Sequence, residues 1–174
     1  MHGRIERMRR LRPFLTVSIN RRDFSNSGGD GIKREILSLA LKKHSQFGWT
    51  EDAIIESVKE LGLNPVSHTI IRRGPVEIVE HFLKLKNDFV ISKLVEYKSK
   101  DPEILNTEHD AKGKQKELLT LALNSHLDYF QPYRSTWATA LALLAAPQQI
   151  PHTLELVQSS VDQLCHEAGL ETSR

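Results

Sequence analysis

A single cysteine, Cys165, in 174 residues excludes an intramolecular disulfide and every zinc or iron–sulfur site built from several thiolates. No apolar run reaches the roughly 18 to 20 residues that a bilayer-spanning helix needs. The longest, Trp137 to Ala146, contains Thr139 and stops at Pro147, which reads as a buried helix. With 39% apolar residues and only 6% aromatic, the chain can bury a modest core. Glycine-rich phosphate loops of the GxGxxG and P-loop types are absent, as is the GxSxG nucleophile elbow. The eight histidines do not fall at ligand spacing: His166-Glu167 is followed four residues on by Leu170, and neither His126/Asp128 nor His109/Asp110 gains a third ligand one turn away. Cys165 falls in a helical apolar pattern and reads as an inert thiol. Neither enzymatic chemistry, nor a metal, nor a cofactor is expected.

What is present is charge of uneven placement. Residues 1–24 carry seven arginines against Glu6 and Asp23, a net of +5, interleaved with Met8, Leu11, Phe14 and Leu15. An arginine-rich, acid-poor, partly amphipathic start is the pattern of a mitochondrial transit peptide, and Arg22-Asp23-Phe24-Ser25 resembles a processing site. Residues 25–31 (SNSGGDG) read as a flexible linker. The remainder, counted from residue 25, holds 17 Lys+Arg against 20 Asp+Glu, a net of −3. A nucleic-acid reader carries its basic footprint on the folded part, and this one does not.

From Ile32 onward apolar residues recur at helical spacing, with no run of strand alternation. Ile36, Leu37, Ala40 and Leu41 share a face that ends near Gly48. Thr50 is placed to cap a second helix stopped by Gly62, and Asn64-Pro65 opens a short third helix that closes at Gly74. Longer patterns follow from Pro75, through Leu118 to Phe130, from Trp137, and from Pro151 to Gly169. The expectation is an all-α bundle of seven helices with a helix-turn-helix-like head. Its would-be recognition helix, Asn64 to Arg73, lies in a stretch (Gly48 to Gly74) with three basic and four acidic residues, a net of −1. Neutralising 6–10 phosphates takes about that many cations, so this shape is expected as structure rather than as a DNA reader.

The helix around Leu141, Leu143 and Leu144 is apolar nearly all round, which suits either a core centre or the wall of an apolar ligand chamber.

Phe47-Gly48-Trp49-Thr50, Ala53-Ile54, Leu61-Gly62-Leu63 and Glu80-His81-Phe82-Leu83 resemble the mitochondrial coenzyme Q (ubiquinone) biosynthesis lipid-binding protein family. The longest matching set is Pro132-Tyr133, Trp137, Ala140-Leu141, Leu144, Pro147, Ile150-Pro151, Leu154, Val161-Asp162, His166 and Ala168-Gly169. The resemblance covers about Glu35 to Ser173. It implies a TetR-like fold over residues 32–174, with a helix-turn-helix head and a ligand-binding body that is incomplete here, because the family continues past the position of Arg174. It also implies a non-enzymatic accessory role in ubiquinone biosynthesis: binding isoprenoid or quinone lipid and presenting it to the di-iron demethoxyubiquinone hydroxylase. The implied place is the matrix side of the inner mitochondrial membrane, with the membrane surface and a second copy of the chain as further partners and no nucleic acid. Trp137, Leu141, Leu144, Ile150, Leu154, Val157 and Val161 are the candidate lipid-lining residues, and Asp162 and His166 the candidates for docking the hydroxylase. The rival reading, from the helix-turn-helix spacing, is a TetR-like DNA-binding transcriptional regulator.

Overall fold

The computed structural model describes residues 29–100 and 111–167, all of whose regular elements are helical. The helices are α1 (Asp30–Lys42), α2 (His44–Phe47), α3 (Glu51–Glu60), α4 (Val76–Lys100), α5 (Ala111–Phe130), α6 (Trp137–Leu144) and α7 (Ile150–Glu167). The arginine-rich start lies outside the described residues; Asp30 and Gly31, expected in the linker, belong to α1.

Local chemistry explains the breaks. The first apolar pattern splits at Lys43, leaving α2 as one turn before Gly48, whose φ of 66° and ψ of −153° suit only glycine. Thr50 flanks α3 in an extended conformation but does not cap it: its hydroxyl donates back to the Phe47 carbonyl at 2.8 Å. Asn64 does cap, its Oδ1 accepting from the Val66 N–H at 3.0 Å with Pro65 behind it. What it opens is a 3₁₀ helix, Pro65–Ile70, rather than the α-helix expected over Asn64 to Arg73.

α4 is the spine. α1, α5, α6 and α7 all pack on it, and α1 also packs on α3. Ile36, Ala40, Ala53, Ile54, Val58, Ile78, Val79 and Phe82 are fully enclosed and form one core with Trp49, Ala140 and Leu144. The few aromatics are concentrated there. Phe82 lies 4.5 Å from Tyr133, 5.1 Å from Phe130, 5.4 Å from Trp137, 5.5 Å from Tyr129 and 5.8 Å from Trp49, centroid to centroid. Trp49 Nε1 donates to Thr136 Oγ1 at 3.1 Å, tying the α2–α3 junction to the start of α6. Burial raises the phenols of Tyr133 and, to about 12, of Tyr129.

A polar clasp ties α1 and the segment before α4 to α4 and the start of α7. Glu77 and Glu80, both buried in the first two turns of α4, accept from Lys33 of α1 (2.5 Å) and from the Arg73 guanidinium respectively. Arg73 also donates its backbone N–H to Glu77 (2.8 Å) and Nη1 to Gln149 (3.1 Å), just before α7.

His81, buried on α4, meets the Ser38 hydroxyl of α1 at 2.9 Å. Burial first, then Lys84 and Arg34, hold its imidazole below the ordinary histidine value of 6.5. His126 on α5 is lowered too, by burial and by Lys86. Between the lowered and ordinary values the unfolded chain binds more protons than the folded one, so stability rises with pH there. Acidification from pH 7.5 to 5 is expected to lower the urea midpoint, and His81→Gln to flatten that dependence. An unchanged slope in the variant would refute the assignment to His81.

Candidate functional site

The seven candidate lipid-lining residues fall into two settings. Leu144 is buried in the core and Trp137 is half-buried against Phe82 and Phe130. Leu141, Ile150, Leu154, Val157 and Val161 stand 44% to 64% exposed. Helical geometry places the four α7 residues, at steps of four, three and four, on one stripe. The opposite side of α7 is held to α4 by Asn87 Nδ2 donating to Gln163 Oε1 (2.7 Å) and by Lys98 with Glu167 (3.1 Å). α6, expected to be enclosed all round, buries only Ala140 and Leu144 and leaves Leu141 in the open. An apolar α7 stripe is thus not core among the described residues, because no described helix covers it.

A second stripe escaped the sequence reading. Leu119, Leu123 and Leu127 on α5, at steps of four, are also exposed, although Leu127 reads as core from its pattern. Their spacing is the signal that could have found them; which stripe of α5 meets α4 is what spacing cannot say. Leu118 and Ser125 mark the side that does.

Asp162 and His166 lie exposed, one turn apart on α7. Cys165 is half-buried beside them. No group of three or more His, Cys, Asp or Glu among the described residues could hold a metal ion, and no described helix is long and apolar enough to cross a membrane.

The segment expected to read DNA is poorly shaped for it. Six residues of 3₁₀ helix rise only about 12 Å, Arg73 is engaged by Glu80 and Gln149, and His68 Nδ1 sits 2.6 Å from the Pro65 carbonyl. The TetR-like regulator reading is not favoured.

Searched against models of protein families, the chain matches none. Individual relatives are more informative. The chain is 31% identical over 138 residues to the mitochondrial ubiquinone biosynthesis protein COQ9 of Xenopus tropicalis, covering 79% of this chain and 42% of that one. The Drosophila melanogaster protein of the same name is 34% identical over 145 residues (80% and 41%), and the Homo sapiens one 29% over 138 (79% and 42%). The chain is a homologue of the COQ9 proteins. It spans about two fifths of the length of these curated COQ9 relatives. The resemblance read from the motifs around Trp49, His81 and Trp137 thus agrees with the names of these homologues, and the bundle is helical as expected.

Proposed function

We propose that the chain is a non-enzymatic lipid-binding accessory protein of ubiquinone biosynthesis, which holds isoprenoid or quinone lipid and offers it to the demethoxyubiquinone hydroxylase. One observation carries the reading: Leu141, Ile150, Leu154, Val157 and Val161 form an apolar surface that no described helix covers. Fully covering one such side chain is worth about 1.5–3 kcal/mol, so a polyprenyl tail has a strong reason to settle there. Trp137 and Leu144 form the packed backing of this surface. The names of the COQ9 relatives give the pathway, and the word mitochondrial in them agrees with residues 1–24 acting as a transit peptide. The reading places the protein on the matrix side of the inner membrane, in contact with its surface, with Asp162 and His166 facing the hydroxylase. A second copy of the chain is a further partner in the same reading.

The test is native mass spectrometry with lipid extraction on the whole chain. Co-purifying isoprenoid or quinone is expected; a folded, lipid-free protein that also fails to take up added polyprenyl lipid would overturn the reading. In Leu154→Gln/Val157→Thr/Val161→Thr, retained lipid should fall by an order of magnitude. The thermal midpoint should stay close to the parent's, since exposed substitutions usually change stability by no more than about 0.5 kcal/mol each.

A further inference from the structure

α1, α3, α4, α5 and α6 each bury side chains in the bundle, whereas α7 buries none over 18 residues. The inner face of α7, Thr153, Leu156, Ser160 and Leu164, is only half-buried, and no described helix covers its outer stripe. The ties that hold it are polar and fall in two groups. At its start, Gln149 accepts from Arg73 (3.1 Å), His152 meets Glu80 (3.4 Å) and the Thr153 hydroxyl donates to the Leu144 carbonyl (3.3 Å). Near its end come Asn87 to Gln163 and Lys98 to Glu167. The Lys98–Glu167 pair is partly exposed, where solvent screens it. The Asn87 tie is incomplete: Nδ2 serves Gln163, but Oδ1 is buried with no hydrogen-bond partner among the described residues. A buried acceptor without a donor costs free energy while α7 is seated, and water recovers it when α7 lifts. Few buried apolar contacts and screened polar ties mark a segment of low local stability.

We propose that α7 is a hinged arm: its far end leaves α4 while the rest of the bundle stays folded, pivoting on the 145–149 turn. The arm carries Ile150, Leu154, Val157 and Val161 outward together with Asp162 and His166, which share the helix. As a motion this stands on the packing of α7; as the means of handing over lipid it rests on the lipid-binding reading above. Lifting breaks two polar ties and exposes Leu156 and Leu164 further, but it uncovers no fully buried residue of α7. The stripe lies on the side of α7 away from these ties, so the motion does not strip a bound tail. It turns the tail from the bundle toward a membrane surface or a partner. The stripe residues carry no charge, which suits a neutral polyprenyl cargo.

The first test is hydrogen exchange of the whole chain, followed by mass spectrometry. A helix freed from its neighbours is marginal in water, so its amides report each lifting. Amides of α7 are expected to exchange about a hundredfold faster than those of α4. Gln163→Ala leaves the Asn87 amide without its partner, so α7 exchange should rise about tenfold further while α4 stays unchanged. Asn87→Leu/Gln163→Met replaces the incomplete tie by an apolar contact and should slow α7 exchange. Equal protection of α7 and α4, or a Gln163→Ala effect shared by α4, overturns the arm. The second test follows transfer of geranylgeraniol from the loaded chain to phosphatidylcholine vesicles. Transfer should be faster in Gln163→Ala and slower in Asn87→Leu/Gln163→Met, at unchanged affinity. A rate that ignores both variants overturns the handover and leaves the lipid reading standing. A chain that takes up neither geranylgeraniol nor any longer polyprenyl lipid overturns the reading and the handover together, while exchange still decides the motion.

Discussion

Phe82→Ala should lower the free energy of unfolding by about 3–5 kcal/mol, the range for deleting a fully buried phenylalanine. Phe82 is fully enclosed, and five other rings lie within 5.8 Å of its centroid. Those rings come from the α2–α3 junction, from α5, from the turn after it and from α6. They cannot close on the vacated space without moving several helices together, so the cavity term is expected to be near its upper end. A domain of this size has roughly 5–15 kcal/mol in all, so the variant should melt at much lower temperature or fail to fold. Phe82→Leu, which retains most of the volume, should keep the bundle folded at a smaller loss. Urea titration followed by tryptophan fluorescence decides the matter: a loss below about 1 kcal/mol for the alanine variant would mean that Phe82 is not the centre of the core.

Arg73→Met should cost about 3 kcal/mol, at the lower end for removing one partner of a buried ion pair, since the arginine side chain is itself about a third exposed. The loss falls on Glu80, which is almost wholly buried on α4 and would keep, among the described residues, only His152, at 3.4 Å, as a partner. The Arg73 N–H bond to Glu77 and the Lys33 ion pair should survive, since neither uses the guanidinium. Glu80→Gln in the Arg73→Met background removes the stranded charge and should recover more than half of the loss. A double-mutant cycle reads this directly; strictly additive costs would show that Arg73 and Glu80 do not act as a pair.

The two predictions concern features of very different legibility. Aromatic scarcity was plain in the sequence, but that Trp49, Phe82, Tyr129, Phe130, Tyr133 and Trp137 converge was not, because they are spread over nearly ninety residues. The Arg73–Glu80 pair spans seven residues and a helix start, a separation that no periodicity rule examines. By contrast, Asn64 and Pro65 announced their helix start correctly, since capping depends only on neighbours along the chain. What followed is a 3₁₀ helix that ends at Ile70, next to the buried Ile71.

The sequence by itself determined the class of fold, the stops at Gly48 and Gly62, the faces of α1 and α3, and the likeness to the COQ9 proteins, because these reside in periodicity, backbone restriction and spaced identities. It also determined that α5 and α7 carry apolar stripes. Only the tertiary structure decided which stripes are covered. An apolar side chain gains the same free energy from any dry neighbour, so Leu118 and Leu123 look alike until α4 is seen to lie against one and not the other. The same holds for Lys86 and Asn87: their polarity is written in the sequence, but their burial is a property of the helices packed around them.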